Sequence, residues 1–513
     1  MASYLPRGVY QLLGSDMKVL VTGGTGVIGE AAVRALHRRG HDVRVLSRHA
    51  GRDQAWWPRG VEGWAGDISD EKSIRGAGER CDAILHVAGI VEEEPPRRTF
   101  QAVNIDGTRY VVLEAERSGV RKLVFVSSLG AERGQSAYHK SKYVAEDVVR
   151  SFTRDWLILR PGAVYGPGDA HLSVLLQMIR TLPVIPTIGD GSQPFQPIWH
   201  EDLAKALAVA LERQDVRCQT LDIAGPELTS QNDLVARFRA ITKRDPVQAP
   251  LPEFAASLGL RALDAIGVDV PFSEAQLAML VERNVIPGGR PNALTDVFAI
   301  APTRLDDGLR RLAEEQPAQL PSDGVGDLTR KRFWVDMRGG RFDADALFEY
   351  VRDHFAELLP PSVQVKADAS RSAQIEEGAT LTLEIPVRGH VQVRVCEVEE
   401  RRITLLTVAG HPLAGAVRFL VESRGDAVRF EIQVYDRPAS MIDQLLMRAA
   451  GEFLQRAAWI ALATNVARVQ GGEASRVQMS EEHLDNHELE VVDKWATELN
   501  VQLSRNSTSS GRD

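Results

Sequence analysis

Tyr138 and Lys142 stand four residues apart in the stretch Ser136-Ala-Tyr-His-Lys-Ser-Lys142. On a helix that spacing puts both side chains on one face, with Cβ atoms about 5–6 Å apart. Ser136 reads as the helix cap, which places Tyr138 in the first turn. An unperturbed phenol ionises near pH 10, about three units too high for efficient proton exchange at neutral pH; a neighbouring ammonium favours the phenolate and lowers that value. The pair by itself is modest evidence, because the spacing also arises by chance. A second stretch points to chemistry independently. Met17 to Gly29 holds a short apolar run, Val19–Val21, followed by Gly23, Gly26 and Gly29. Gly23 allows a tight turn out of a strand, Gly26 lets a pyrophosphate lie against bare backbone, and Gly29 lets a helix pack close to the sheet. The free N–H groups at that helix start then hold negative phosphates.

These residues need an alternation of strands and helices to position them. From Met17 to about Gly225 the apolar patterning supplies one, with strands expected at Lys18–Val21, Val43–Leu46, Ala83–Val87, Lys122–Ser127 and Trp156–Leu159. Helices are expected at Gly29–Arg39, Val103–Ser118, Ala137–Phe152 and Asp202–Arg213. Such alternation implies an α/β fold with a doubly wound parallel sheet covered on both faces. The second strand ends in Leu46-Ser47-Arg48, where NAD-specific chains place an acid on the ribose hydroxyls. Ser47 and Arg48 suit a 2′-phosphate instead, so NADP is expected over NAD. Asp67 after a short third strand has two readings: acceptor for the adenine amine, or part of a helix start near Asp70-Glu71-Lys72.

The bulk numbers exclude other classes. The 513 residues are too many for one core, and 26% charged with 44% hydrophobic content is ordinary for a globular chain. A net charge of −9 with no basic patch excludes a nucleic-acid binder. Cys81, Cys218 and Cys396 lie far apart, which gives neither a disulfide framework nor a cysteine metal site and fits a reducing cytoplasm. His200-Glu201-Asp202 reads as a helix start with an Asp cap in preference to a metal cluster. Residues 1–16 read as an N-terminal extension without a secretory core. No run of apolar residues is long enough to span a bilayer, while peripheral membrane contact stays open. No feature of the sequence fixes an oligomeric state.

TGGTGVIG (22–29), GDI (66–68), HVAG (86–89), NIDGT (104–108), FVSS (125–128), YHKSK (138–142) and RPGAVYGPGD (160–169) occur in this order. As a set they resemble the short-chain dehydrogenase/reductase superfamily, in its extended or atypical branch. The layout through about residue 320 is similar to the members that include the nucleotide-binding accessory subunit of respiratory complex I. The resemblance implies a Rossmann-type NAD(P)-binding domain over 17–225. Its cofactor contacts would fall at Gly23, Thr25, Gly26, Val27, Ile28, Gly29, Arg48, Asp67, Ile68, Ala88, Gly89, Lys142 and Pro161. It also implies Tyr138 as general acid/base, Lys142 on the nicotinamide ribose, and Ser128 on the substrate carbonyl or alcohol; Ser127 takes that place if the strand ends one residue earlier. Ser128 and Tyr138 are only ten residues apart, shorter than in most of the superfamily. In the same branch catalysis can be lost with nucleotide binding kept.

Residues 226–320 are rich in Leu, Ala and Pro, with helices expected at Gln231–Thr242 and Pro252–Ile266. The resemblance implies a substrate lid there. Its apolar character fits a hydrophobic or lipid-like substrate, and equally a packed helical subdomain. A linker is expected over 321–332. Beyond it, alternation at Thr380–Ile385, His390–Val398, Arg402–Val408, Ala416–Glu422 and Ala427–Tyr435 predicts antiparallel strands. A helix at Asp343–Leu358 precedes them. A long helix over Ser440–Val466 follows, with Ile442, Leu445, Leu446, Phe453 and Ile460 as a core-facing stripe. Residues 333–470 thus resemble the START-like helix-grip superfamily, an α+β fold, which implies an apolar ligand cavity. His411 before Pro412 reads as a turn residue. Residues 471–513 read as a polar tail with one possible helix at Glu488–Leu499, disordered from 503. The function expected is an NADPH-dependent oxidoreductase acting on a hydrophobic carbonyl or alcohol. The alternatives are a non-catalytic NADPH-binding component of a respiratory or lipid-handling assembly, or a nucleotide-sugar epimerase.

Overall fold

The computed structural model describes residues 16–96, 98–251, 284–366, 375–385, 389–446 and 451–509. The extension at 1–16, apart from its last residue, and the helix expected at Pro252–Ile266 lie outside the described residues. The chain divides into two compact units. The first comprises Met1–Val164, Ile198–Pro226 and Asn284–Pro302; the second comprises Tyr165–Pro197, Glu227–Arg283 and Thr303–Asp513.

The first unit is a seven-stranded parallel sheet. Across the sheet the strands run Gln219–Ile223, Asp155–Pro161, Lys122–Val126, Ala83–His86, Lys18–Thr22, Asp42–Ser47 and Glu62–Ala65. Burial alternates along the central strand. Val19 and Val21 pack with helices Val27–Arg38 and His200–Glu212 on one face, while Leu20 packs with Gly107–Arg117 and Ala137–Arg150 on the other. The strand order reverses between Lys18–Thr22 and Ala83–His86, and a crevice opens at such a switch point, at the carboxyl ends of the strands. Gly23 follows one of these strands; Ala88 and Gly89 follow the other.

In the second unit the strands form an antiparallel sheet in the order Gln364–Lys366, Thr380–Ile385, Gly389–Glu399, Arg402–Thr407, Leu413–Arg424, Ala427–Pro438 and Leu328–Arg338. Helices Ala344–Asp353 and Glu452–Gln470 close one face over Phe333, Val351, Phe419, Phe430 and Leu462. Helices Leu172–Thr181, Gln231–Thr242 and Leu305–Glu314 belong to the same unit. Buried Arg180 ties them to the sheet by donating to Gln392 Oε1 at 2.7 Å and to the Ala313 carbonyl at 2.8 Å.

Three expectations for this half are corrected. The linker over 321–332 ends early, because the strand Leu328–Arg338 occupies its last five residues. The run Arg330-Lys331-Arg332 conceals that strand in the sequence, and each of its charges finds a distant acid: Glu482, Asp436 and Glu431. The polar tail is structured over its described residues, 471–509, and so beyond residue 503. Gln478–Leu484 pairs with the outer edge of Leu328–Arg338, and the helix expected at Glu488–Leu499 runs longer, over Asn486–Ser509. Six of the seven residues of that added strand face solvent, so no apolar alternation marked it. The stripe expected on the long helix is not its core face. Leu445, Phe453 and Ile460 are exposed, the first two at 70% and 76%, and the buried residues are Leu462, Ala463 and Val466 instead.

Candidate active site

The glycine turn forms as its residue types require. Gly23 sits at φ +72°, and a Cβ there would come within 2.7 Å of the Ala88 nitrogen. A Cβ at Gly29 would lie 2.0 Å from the Gly23 carbonyl oxygen. Gly26 differs: its φ is −91°, and a Cβ would meet nothing nearer than the Gly23 oxygen at 3.7 Å. The protein itself leaves room for a side chain at Gly26. The room lies at the start of helix Val27–Arg38, where unpaired N–H groups and the helix dipole attract an anion. A dinucleotide's pyrophosphate fits that cradle. Thr25 and Gly26 are exposed around it, with Val27 and Ile28 half-buried in the first helical turn. Gly24 is needed for packing alone, since a Cβ there would strike the Val45 side chain at 2.5 Å.

The opposite lip is held by a buried polar chain. Thr22 Oγ1 lies 2.7 Å from His86 Nδ1 and accepts from the Ala88 nitrogen at 3.2 Å. His86 Nε2 lies 3.0 Å from Thr108 Oγ1. Burial pushes the imidazole down to about 3, so it stays neutral. Beyond it, a wide helical turn over Gln101–Asp106 carries Asn104, a residue to which the sequence reading gave no role. Its amide oxygen accepts from the Ile90 nitrogen at 2.8 Å, and its nitrogen donates to the Ile90 carbonyl at 3.0 Å and to Ser141 Oγ at 2.9 Å. A Cβ at Gly89 would stand 3.2 Å from Asn104 Oδ1 and 3.4 Å from Lys142 Nζ, so these three residues meet at one point. The NIDGT motif was the available signal for Asn104.

Ser128 lies beyond Lys122–Val126, where the strand pairing continues: Ser127 donates to the Leu159 carbonyl at 2.8 Å and Leu129 to the Pro161 carbonyl at 2.9 Å. Ser136 caps the next helix by accepting from the His139 nitrogen at 3.3 Å, so Tyr138 falls in the first turn. The short connection brings the two hydroxyls together, with Ser128 hydrogen-bonded to the Tyr138 phenol. Ser127, just past the strand end at Val126, instead donates to buried Glu146 at 2.6 Å. Lys142 is buried on the same helix face. Its ammonium donates to the Val126 carbonyl at 2.7 Å and lies 4.5 Å from the centre of the Phe125 ring. Burial lowers Lys142 to about 8, with the nearby Glu146 charge opposing.

One electrostatic expectation fails. Burial pushes the Tyr138 phenol up to about 12, and the Ser128 bond offsets only part of it. The causes acting on the phenol are burial and the Ser128 bond, without Lys142, whose ammonium donates to the Val126 carbonyl. Tyr138 is therefore a protonated phenol at neutral pH.

The remaining sites resolve individually. Arg48 is exposed at the end of Asp42–Ser47 and makes no hydrogen bond or ion pair among the described residues. Ser47 beside it donates to Asp53 at 2.5 Å, and Asp53 pairs with Arg52. Asp67 accepts from the Ser69 nitrogen and hydroxyl at 2.9 and 2.7 Å, while Asp70 caps the short helix that follows. Ile68 is core, packed against Gly107, so only its backbone remains to face a ligand. Asp202 sits in the first turn of His200–Glu212 and pairs with Lys205. Among the described residues no His, Cys, Asp and Glu cluster could hold a metal, and no helix is long and apolar enough to cross a membrane. His411 is a turn residue, its ring 3.0 Å from the Leu413 carbonyl.

A nucleotide cradle at the switch point, with a Ser–Tyr–Lys set beside it, defines an NAD(P)-binding Rossmann domain. Residues 19–224 match the NAD dependent epimerase/dehydratase family, and this part of the chain is a domain of that family. Residues 352–464 match a family described only as a domain of unknown function, DUF1990. The chain is 35% identical to a ceramide reductase of Caulobacter vibrioides over 39% of its own length and 62% of the relative's. It is 36% identical to sterol demethylase protein B of Methylococcus capsulatus, over 31% of this chain and 55% of that one. A third relative is the mitochondrial NADH dehydrogenase [ubiquinone] 1 alpha subcomplex subunit 9 of Arabidopsis thaliana, 25% identical over 53% of this chain and 70% of the relative. The chain thus spans little more than half the length of the first two relatives.

Proposed function

We propose that the chain is an NADPH-dependent reductase of a hydrophobic carbonyl compound. The observation that carries this reading is the Ser128–Tyr138 hydrogen bond with buried Lys142 one turn further along the same helix. When bound, NADPH would supply the hydride. Ser128 orients the substrate carbonyl, and Tyr138 gives its phenolic proton to the oxygen that becomes the alcohol. Burial keeps the phenol protonated at neutral pH, which is the form that reduction requires of it. Lys142 would hold the nicotinamide ribose. Arg48, a cation with no partner among the described residues, supports NADPH over NADH by offering a charge to the 2′-phosphate. The likeness to the ceramide reductase and to sterol demethylase protein B supports a lipid-like substrate class. The C-terminal sheet and helix are proposed to hold that ligand. Trp459 supports this, with a buried indole N–H that has no hydrogen-bond partner beside the grip helix core.

The test is NADPH oxidation over a panel of long-chain ketones, keto-sterols and oxo-amides, alongside Tyr138→Phe. Turnover by the wild type and its loss in Tyr138→Phe support the reading; equal turnover by both refutes the assigned chemistry. A second reading, a non-catalytic NADPH-holding subunit, is favoured by the likeness to the respiratory-complex relative. Tight, slowly exchanging NADPH without turnover on any panel member selects it.

A further inference from the structure

Glu146 is a buried charge that the proposed reaction does not use. It lies one turn beyond Lys142 and two beyond Tyr138, so the three share a face of helix Ala137–Arg150. Its side chain is 0% exposed. One carboxylate oxygen accepts from Ser127 Oγ at 2.6 Å and from Arg160 Nε at 2.8 Å. The other accepts from Arg160 Nη2 and Arg150 Nη2, both at 2.7 Å. Arg160 comes from the neighbouring strand Asp155–Pro161, and its third arm holds Glu132 at 2.7 Å, inside the connection between Ser128 and Tyr138. Arg290 closes the chain on Glu132 at 3.0 Å and on Asp222 at 3.2 Å. A buried carboxylate is costly unless it is paired and hydrogen-bonded, and this one is both. An apolar residue would fill the same volume at lower electrostatic cost. The arrangement is instead anchored to both strands and the helix that carry the proposed chemistry.

We propose that Glu146 is a positioning residue: one buried carboxylate steers the Lys142 ammonium and pins the strand end that presents Ser128. This inference rests on the reductase reading for its purpose, but the electrostatic link can be tested without turnover. Around Lys142 the charged and titratable neighbours are Glu146 on its own helix, neutral His86 on the strand Ala83–His86, and the protonated phenol of Tyr138. Around Glu146 they are Arg150, Arg160 and, behind Arg160, Glu132 and Arg290. Of these, Glu146 is the negative charge that supports the Lys142 ammonium against its burial.

The test measures the pH dependence of Lys142 labelling by an amine-reactive reagent, read by mass spectrometry on the cofactor-free full chain. Glu146→Gln is expected to move the Lys142 midpoint down by about one pH unit, since opposite charges at this range shift a group by one to three units. Glu146→Asp, which keeps the charge, restores most of the shift. In turnover, the alkaline limb of kcat/KM moves down with the labelling midpoint. An unchanged midpoint in folded Glu146→Gln overturns the proposal. Should that variant fail to fold, Arg150→Ala carries the test. It removes a half-exposed cation that neutralises Glu146, so the Lys142 midpoint rises; an unchanged or lower midpoint overturns the proposal. A shifted midpoint with full turnover by Tyr138→Phe refutes the reductase chemistry and leaves the Glu146–Lys142 link standing, which separates the two failures.

Discussion

Gly26→Ala and Gly29→Ala are both one-methyl changes in the same turn, and they should fail in opposite ways. At Gly29 the added Cβ would sit 2.0 Å from the Gly23 oxygen, 2.6 Å from its carbonyl carbon and 2.8 Å from Gly24 Cα. All three are backbone atoms, and the first falls roughly 1.4 Å short of the 3.4 Å at which ordinary contact begins. No rotamer relieves such a clash, so the turn or the helix must shift. Overpacking costs typically about 1–3 kcal/mol, and a rigid backbone neighbour places this case at the top of that range or above it. At Gly26 the backbone is extended at φ −91°, ψ 168°, and the methyl would meet only one atom, at 3.7 Å. Folding should cost at most about 1 kcal/mol, the difference between Gly and Ala at a helix cap. The same methyl would occupy the space assigned to the pyrophosphate. A tenfold to hundredfold weaker Kd for NADPH is expected, about 1.4–2.8 kcal/mol. Thermal melts by circular dichroism and NADPH titration by fluorescence read the two quantities separately. Gly26→Ala should melt near the wild type and bind poorly; Gly29→Ala should melt well below it. Wild-type NADPH affinity in a folded Gly26→Ala chain refutes the placement of the phosphates, and a wild-type melt for Gly29→Ala refutes the packing argument.

Tyr138→Phe keeps the ring beside Phe100 and His139 and should lower turnover by about 10²–10⁴-fold while NADPH affinity is unchanged. For reduction, turnover should hold steady on the acid side, where the phenol keeps its proton, and fall above about pH 8 as Lys142 loses its charge; a pH–rate profile of kcat/KM checks this. Arg48→Glu reverses the charge offered to the 2′-phosphate and should weaken NADPH by about tenfold or more while leaving NADH within a small factor, measured by parallel titrations. Lys331→Met leaves Asp436 buried with only Gln455 as partner, and should cost about 3–5 kcal/mol in chemical denaturation of the C-terminal transition.

The parts of this protein that were legible in its sequence are those whose partners are close in the chain. The glycine turn, the Ser136 cap and the Tyr138–Lys142 face are all settled within a dozen residues by steric and helical geometry. Gln231–Thr242 and Thr380–Ile385 match their expected bounds for the same reason, since periodicity is a local property. The misses involve partners far away. Arg330, Lys331 and Arg332 looked like a solvated linker because the acids that neutralise them lie 152, 105 and 99 positions along the chain. Without those acids a strand carrying three cations is implausible; with them it joins the sheet, paired on both sides. Gln478–Leu484 escaped notice because an edge strand can be polar on both faces when its backbone supplies the pairing.

The Tyr138 titration shows why a correct motif still leaves its electrostatics undetermined. Spacing placed an ammonium one helical turn from a phenol, and a lowered phenol followed from that pair alone. In the fold, the strand Lys122–Val126 offers the ammonium a carbonyl and an aromatic face, and burial then controls the phenol. Which neighbour wins depends on desolvation, and desolvation is a property of the packed sheet and helix together. The same holds for Asn104, whose amide closes a loop only because the helix widens by one residue there. Residue identity thus fixed which chemistry is available at this crevice. How each group titrates is set by what surrounds it, and burial keeps the Tyr138 phenol protonated and above its ordinary value.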